Sequence, residues 1–380
     1  MIYVTTRQKQ KEKQISWLDL LEENEIQISD FAKSGSAGTV TRVLPEATNE
    51  LLEKINVPAM IDTLKKFNEY HDDLFKKNRK SLYRHFEIPK RTGGGLRPID
   101  APCPELKVAL KELAEILTDK FGVLHHTAAF AYVKNRCPAQ AIRKHQMNES
   151  NWIYNTDVSG FFPSTTLPFT MKMVKMVFPL SEICKVDEGY KELRKSLSLG
   201  FLDDVLPQGS PLSPMLTNVI SIPIDHKIFN DLAHKRFVYT RYADDIQISC
   251  QQKFDPNKMS QYIQGVYKQF GAPWILKPEK TKYRSRKGHD FMLGLCLNAE
   301  NNITVGWRTK KLFKAQTANL IMDYKNGKRW PIDEIKQYDG LVSYYKMVEE
   351  EYFENLIQHF NNKFHVDLKK IIKESVSTSI

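Results

Sequence analysis

Three places in the chain set an aromatic residue two positions before a pair of aspartates: Tyr70-His71-Asp72-Asp73, Phe201-Leu202-Asp203-Asp204 and Tyr242-Ala243-Asp244-Asp245. Neighbouring carboxylates are what a divalent metal site needs, but the pattern alone is weak, and context must separate the three. The first pair lies in a helical run among lysines, the setting of a solvated face. The second sits between Gly200 and Pro207, the setting of a loop. The third is flanked by Phe237-Val238-Tyr239-Thr240-Arg241 and Ile246-Gln247-Ile248-Ser249-Cys250. Both flanks are rich in β-branched and aromatic residues, and the second alternates apolar with polar, so Asp244 and Asp245 fall at the tip of a hairpin. A plain solvated turn would carry charge at the same place.

A fourth acid, Asp157, closes the strand-like run Trp152-Ile153-Tyr154-Asn155-Thr156 and is followed by Val158-Ser159-Gly160-Phe161-Phe162-Pro163-Ser164. A carboxylate leaving an apolar strand is expensive to bury without a partner. A metal ion shared with the hairpin acids would supply one, and a turn aspartate is the ordinary alternative. Two magnesium ions about 4 Å apart need several carboxylates converging from different strands. Between these acids lies Leu206-Pro207-Gln208-Gly209-Ser210-Pro211-Leu212-Ser213-Pro214, whose prolines and glycine force a rigid loop ahead of a helix. Such a backbone can lie flat against a nucleotide, or serve only as a connector.

The elements that must position these groups follow from periodicity. Helical patterns are expected over Pro58 to Phe86, Glu105 to Phe121, Leu167 to Phe178 and Ser213 to Leu232, and over most of the last eighty residues. Strand character is expected for Ala128 to Val133, Trp152 to Val158, Phe291 to Leu297 and Ile303 to Trp307, with a hairpin from Phe237 to Cys250. Residues 1–58 read as an accessory region. The mixture predicts an α+β protein.

The chain has 380 residues, with 56 Lys and Arg against 45 Asp and Glu, a net charge of +11. A positive field of this kind attracts polyanions such as nucleic acid. No apolar run approaches the roughly 20 residues of a membrane span, and the first residues lack a secretory pattern. A cytoplasmic protein that does not engage a membrane is expected. The five cysteines, Cys103, Cys137, Cys184, Cys250 and Cys296, have no metal-type spacing and read as reduced, packed side chains.

Taken in order, Arg97-Pro98-Ile99-Asp100-Ala101-Pro102, Asp157-Val158-Ser159-Gly160-Phe161-Phe162-Pro163-Ser164, Pro207 to Pro214, Tyr242-Ala243-Asp244-Asp245, Lys280-Thr281 and Leu293-Gly294-Leu295 resemble the prokaryotic reverse transcriptases of retrons, group II introns and phage defence. The resemblance spans about residues 85 to 325. It implies a right-hand polymerase, with fingers and an antiparallel palm interleaved over 59–295 and a helical thumb and C-terminal region over 296–380. It implies that Asp157, Asp244 and Asp245 are catalytic and hold two Mg2+, with Mn2+ as a substitute. Phe162 falls where the family places the aromatic gate against a ribose 2′-hydroxyl. Gln208 and Gly209 would contact the incoming nucleotide and template. Lys90 and Arg97 flank a Gly-rich turn suited to closing over a triphosphate, and Lys280 could protonate the leaving group or touch phosphates. Between Trp307 and Arg329 stand seven cations and one acid. Arg308, Lys310, Lys311 and Lys314 among them are expected to bind nucleic acid without reading its sequence. Trp307 could stack on the primer or pack in a core.

The branch is read from smaller marks. Where retron enzymes carry Asn-Ala-x-x-His, this chain has Gln140-Ala141-Ile142-Arg143-Lys144-His145, keeping the His. Where they carry Val-Thr-Gly it has Met292-Leu293-Gly294, keeping the Gly. The expectation is a stand-alone phage-defence reverse transcriptase, with a divergent retron enzyme making RNA-linked DNA second. The implied partners are a cognate structured non-coding RNA, deoxynucleoside triphosphates, the DNA product and an RNA–DNA duplex, with room for a protein partner or an oligomer. An RNA polymerase on the same palm and a non-enzymatic RNA-binding scaffold are the rival functions. The bulk of Phe162 opposes the first, and the full set of acids opposes the second.

Overall fold

The computed structural model describes residues 55–90, 94–286 and 291–377. Most of the expected accessory region 1–58, and Gly93 of the glycine turn, lie outside the described residues. The chain divides into two compact units, one drawn from Met1–Tyr132, Ser159–Asn230 and Ile263–Ile275, the other from Val133–Val158, Asp231–Tyr262 and Leu276–Ile380.

In the first unit, α1 (Val57–Tyr70) opens on Asn56, whose side chain accepts the Ala59 N–H at 3.0 Å, with Pro58 in the first turn. The short helix α2 (Asp72–Lys76) follows. Here the structure departs from the expected helix through Phe86. Tyr83–Pro89 is strand β1, paired antiparallel with β2 (Leu96–Pro102) across a turn in which Gly94 and Gly95 have φ of 68° and 84°. Both strands are largely exposed, so the burial periodicity that normally marks a strand is missing. Helix α3 (Pro104–Glu115) ends in a π-type turn over Ile116–Lys120. The run from Ala128 to Val133, expected as a strand, is a turn segment with a single bridge position, buried over Ala128 to Ala131 and exposed at Tyr132. Its apolar residues reflect burial, not pleating.

Helices α5 (Leu167–Val174), α6 (Leu180–Cys184) and α7 (Asp187–Ser198) complete the first unit with most of α8 (Leu212–Ala233). Helix α8 buries Leu216, Val219, Ile220, Ile224 and Ile228 around its circumference, as a central helix must. Trp274 is a second anchor. Its ring meets Phe161, Phe169 and Tyr267 at centroid distances of 4.8, 5.4 and 5.5 Å, and its N–H donates to Thr165 Oγ1 at 3.0 Å.

The second unit contains α4 (Pro138–Met147), β3 (Trp152–Ser159), β4 (Val238–Tyr242), β5 (Asp245–Cys250) and the start of α9 (Pro256–Phe270). With β6 (Ile275–Leu276) and β7 (Lys282–Ser285) the strands form a sheet of order β4-β5-β3-β6, β7 also pairing with β3. Strands β8 (Phe291–Met292), β9 (Leu295–Leu297) and β10 (Ile303–Thr304) form a small antiparallel sheet. Its first hairpin turns through Leu293 and Gly294, both at positive φ (54° and 80°), which gives a reason for glycine in the Met292-Leu293-Gly294 segment. Trp307 begins helix α10 (Trp307–Lys325) and does not close the preceding strand. Helices α11 (Ile332–Val348), α12 (Glu350–Phe364) and α13 (Leu368–Ser377) follow, packed around Phe313, Tyr338, Phe353 and Phe360. The α+β class expected from the sequence is observed. No described helix is long and apolar enough to cross a membrane, and all five cysteines are free.

Trp274→Ala is expected to cost about 3–5 kcal/mol, because it empties a fully buried indole site and leaves Thr165 without its donor. Urea unfolding of the variant against wild type measures the loss.

Candidate active site

The three acids singled out in the sequence converge in the second unit. Asp157 on β3 stands directly opposite Asp245, the first residue of β5, and Asp245 stands opposite Tyr242, the last of β4. Asp244 is the second residue of the two-residue β4–β5 turn. The first, Ala243, has φ of 57°, a left-handed conformation that glycine occupies without strain and alanine does not. The turn is held from both sides. The Arg241 guanidinium donates from Nη1 to Ala243 O at 3.0 Å, and the Val158 N–H donates to Asp244 O at 3.1 Å. Antiparallel pairing therefore fixes where the carboxylates sit.

The electrostatics follow from that convergence. Burial, then the charge of Asp157, raises the Asp244 carboxyl above its ordinary value. Burial again leads at Asp245, followed by the charges of Asp244 and Asp157, and pushes that carboxyl up to about 6. Asp157 is compensated. Lys277 Nζ donates to Oδ1 at 2.5 Å and Lys280 Nζ to Oδ2 at 2.7 Å. The hydrogen bond to Asp157 raises the Lys280 ammonium, so it keeps its proton. The Lys277 N–H also donates to Asp157 O at 2.8 Å. Thr281 secures this lysine turn, its hydroxyl donating to Lys277 O at 3.0 Å and meeting the Thr156 hydroxyl at 2.8 Å.

Lys277, which the sequence analysis does not name, is brought to Asp157 by the fold. Its signal was the spacing of three to Lys280, one turn of the 3-10 helix Pro278–Lys280. His145 enters the sequence analysis only as a mark of the branch, because its partners Thr240 and Ser249 lie 95 and 104 residues away, and Arg241 only as part of a strand-like flank.

The other expected residues are placed as follows. In the first unit Lys90 and Arg97 are both exposed on the β1–β2 hairpin, the Lys90 N–H donating to Gly95 O at 3.0 Å. The Pro207–Gly209 loop is pinned to β2, with the Asp100 N–H donating to Gln208 O at 2.7 Å. Gly209 has φ of 117°, and a Cβ there would stand 2.9 Å from Asp100 O and from the Ile99 side chain, so no other residue fits without displacement. The side-chain Oε1 of Gln208 is buried and has no hydrogen-bond partner among the described residues. Phe162 is half-buried, its ring 5.7 Å from that of Phe161. In the second unit Arg308, Lys311 and Lys314 are exposed on α10, and Trp307 is 71 % exposed, which removes the core role for that indole. Lys310 differs. It is paired with Glu349 Oε1 at 2.6 Å and lies 3.9 Å from the Tyr352 ring centroid. Glu349 also accepts from Thr304 and from the Val305 N–H. Lys310 is thus committed to holding α10, β10 and Glu349 together, against the expectation of a free nucleic-acid contact.

Residues 88–308, more than half of the chain, match the family described as reverse transcriptase (RNA-dependent DNA polymerase). The chain belongs to the reverse transcriptase family. It is an RNA-directed DNA polymerase, and the right-hand α+β class expected for it is that of its family. Retron Ec83 reverse transcriptase of Escherichia coli is 26% identical over 317 residues, covering 81% of this chain and 96% of that protein. Retron Ec73 reverse transcriptase of the same organism is 25% identical over 299 residues, covering 74% and 90%. The chain is therefore a retron-like prokaryotic reverse transcriptase. These relatives fit the reading placed second in the sequence, a divergent retron enzyme. Among solved structures, a telomerase from Candida tropicalis truncated from its C-terminal domain aligns with a TM-score of 0.43 at 12% identity, over 60% of this chain and 55% of that one, a likeness too slight to argue from.

The family depends on divalent metal. Among the described residues no group of three or more His, Cys, Asp or Glu side chains is gathered as a ready-made metal cage, and Asp157 faces two ammonium groups. The donor chemistry nevertheless fits. All three side chains offer hard carboxylate oxygens, and two of them bind protons more readily than usual because burial and neighbouring carboxylates outweigh the lysines nearby.

This gives a pH-dependent prediction. Asp245 holds its proton more tightly folded than unfolded, so as pH rises from about 4 to 6 the metal-free protein loses stability. Asp245→Asn removes that loss. In EDTA at about pH 7.5 the variant is expected to be more stable than wild type by about 1–3 kcal/mol, with the gap closing near pH 4. Urea unfolding at both pH values checks this, and a variant no more stable at the higher pH contradicts it.

Proposed function

We propose that this polymerase copies a cognate structured non-coding RNA into DNA, with Asp157, Asp244 and Asp245 as its catalytic carboxylates and the ligands of two Mg2+ ions, replaceable by Mn2+. The observation that carries the reading is the convergence of three carboxylates on paired antiparallel strands, in the segment that matches the family. Divalent cations bound there would lower the pKa of the primer hydroxyl and neutralise charge on the leaving pyrophosphate. The protein's own part is orientation. The paired strands hold the acids before any ligand arrives, and Lys280 keeps a proton at Nζ within reach of the same place. Lys277 and Lys280 neutralise Asp157 when no cation does so.

Lys90 and Arg97 would contact the triphosphate, as exposed cations on one hairpin. Gln208 would turn its unpartnered Oε1 to the incoming nucleotide, with Gly209 allowing close approach of the backbone. Phe162 would exclude the 2′-hydroxyl of a ribonucleotide. Arg308, Lys311 and Lys314 would follow the phosphates of the RNA–DNA duplex, with Trp307 on the same exposed stretch. In this reading 59–295 is fingers and palm and 296–380 the thumb and C-terminal region. The enzyme works in the cytoplasm, in phage defence. The curated relatives favour the retron form of the reading, in which the DNA stays joined to its RNA.

The test is primer extension on an RNA template with Mg2+. Asp244→Asn with Asp245→Asn is expected to lower the rate at least about 1,000-fold while the protein stays folded. Full activity in the folded double variant would defeat the assignment. Phe162→Ala is expected to raise ribonucleotide incorporation relative to deoxynucleotide by about tenfold or more, measured as a ratio of kcat/KM values. An unchanged ratio rejects the gate.

A further inference from the structure

Helix α4 carries His145, which has no exposed surface, into the space between Thr240 of β4 and Ser249 of β5. Nε2 lies 2.8 Å from Thr240 Oγ1 and Nδ1 lies 2.6 Å from Ser249 Oγ. The two hydroxyls are symmetrically placed about the acidic turn, Thr240 four residues before Asp244 and Ser249 four residues after Asp245. The contacts extend outward. Thr240 donates to Gln247 Oε1 at 3.2 Å, Ser249 Oγ lies 2.7 Å from Ser150 Oγ, and Asn148 Nδ2 donates to Ser150 Oγ at 2.9 Å.

Burial drives the imidazole pKa down to about 3, so the ring is neutral and has a single N–H. Thr240 gives its proton to Gln247 and Ser249 gives its proton to Ser150, so each hydroxyl presents its oxygen to the ring.

An apolar side chain could fill this volume without the cost of burying an imidazole. What the imidazole adds is direction. Among the described residues strand β4 is at the edge of its sheet and pairs with β5 alone. The turn that joins the two strands is strained at Ala243. A rigid ring bonded to one hydroxyl on each strand fixes their stagger, and a slip there would carry the acids out of line with Asp157.

We infer that His145 is a positioning residue for DNA synthesis, bracing β4 against β5 so that Asp244 and Asp245 are held in register with Asp157. The inference rests on the reading of those acids as the catalytic set.

The test combines His145→Leu, His145→Gln, Thr240→Val and Ser249→Ala with Asp244→Asn as reference. For each, kcat and KM for deoxynucleotide are measured on an RNA template, RNA affinity is measured by fluorescence anisotropy, and amide hydrogen exchange is followed over residues 238–250. His145→Leu is expected to lower kcat about tenfold or more, with KM and RNA affinity within about threefold of wild type, and to speed exchange in that segment. His145→Gln, whose amide can still donate to Thr240, is expected to recover part of kcat. Thr240→Val and Ser249→Ala are expected to lose part of it, and to add little to His145→Leu. Wild-type kcat in His145→Leu overturns the inference, as does a fall in kcat, KM and RNA affinity together with global melting. If His145→Leu does not fold, the two hydroxyl variants decide by the same split. If Asp244→Asn is fully active, the catalytic reading itself fails and the inference goes with it. An inactive Asp244→Asn beside brace variants of wild-type kcat rejects the brace alone.

Discussion

Three carboxylates brought together in a half-buried place repel one another and lose hydration, and the surrounding structure is arranged around that unfavourable fact. Hydrogen-bonded strand pairing forces Asp157 opposite Asp245 whether or not a cation is present. The consequence is visible in the proton affinities of Asp244 and Asp245, both raised by burial first and then by the charge of neighbouring carboxylates, Asp157 among them. It is also visible in the two lysines that crowd onto Asp157. A cluster built this way is less stable than it could be, and a positive ligand would relieve it.

The support for that cluster is mostly backbone and buried polar side chains. Arg241 holds the turn through Ala243 O, Val158 holds it through Asp244 O, and Thr281 fixes the lysine turn below Asp157. Tyr154, in the middle of β3, ties its hydroxyl to Ser260 at 2.7 Å and so joins the same strand to α9. In the other unit, the Gln208–Gly209 loop is fixed by a comparable device, a backbone hydrogen bond to β2 together with a glycine for which no Cβ has room. Both sets of residues are therefore held in place by the chain itself.

Much of this was legible in the sequence, for local reasons. The strands on either side of Tyr242-Ala243-Asp244-Asp245 are rich in β-branched and aromatic residues and the second alternates apolar with polar, so the hairpin declares itself, as does β3 before Asp157. The exposed strand β1 has no buried face and was read as the end of a helix. The buried Ala128–Ala131 turn has apolar residues throughout and was read as a strand. Lys310 looked like one more cation on a basic helix, and its partner Glu349 lies 39 residues away. His145 was visible as a residue kept from a family pattern, yet its role depends on hydroxyls 95 and 104 residues distant. Local chemistry can be read from spacing. Pairings across the sheet require the fold.

The most direct measurement on the carboxylate cluster is thermal unfolding of the protein, without nucleic acid, titrated with Mg2+ at neutral pH beside the Asp244→Asn, Asp245→Asn double variant. A cation that binds the folded state stabilises it in proportion to the logarithm of its concentration. A melting temperature that climbs with Mg2+ in wild type and stays flat in the double variant is the expected result. A flat wild-type curve, or an equal rise in both proteins, would contradict a metal site built from these acids.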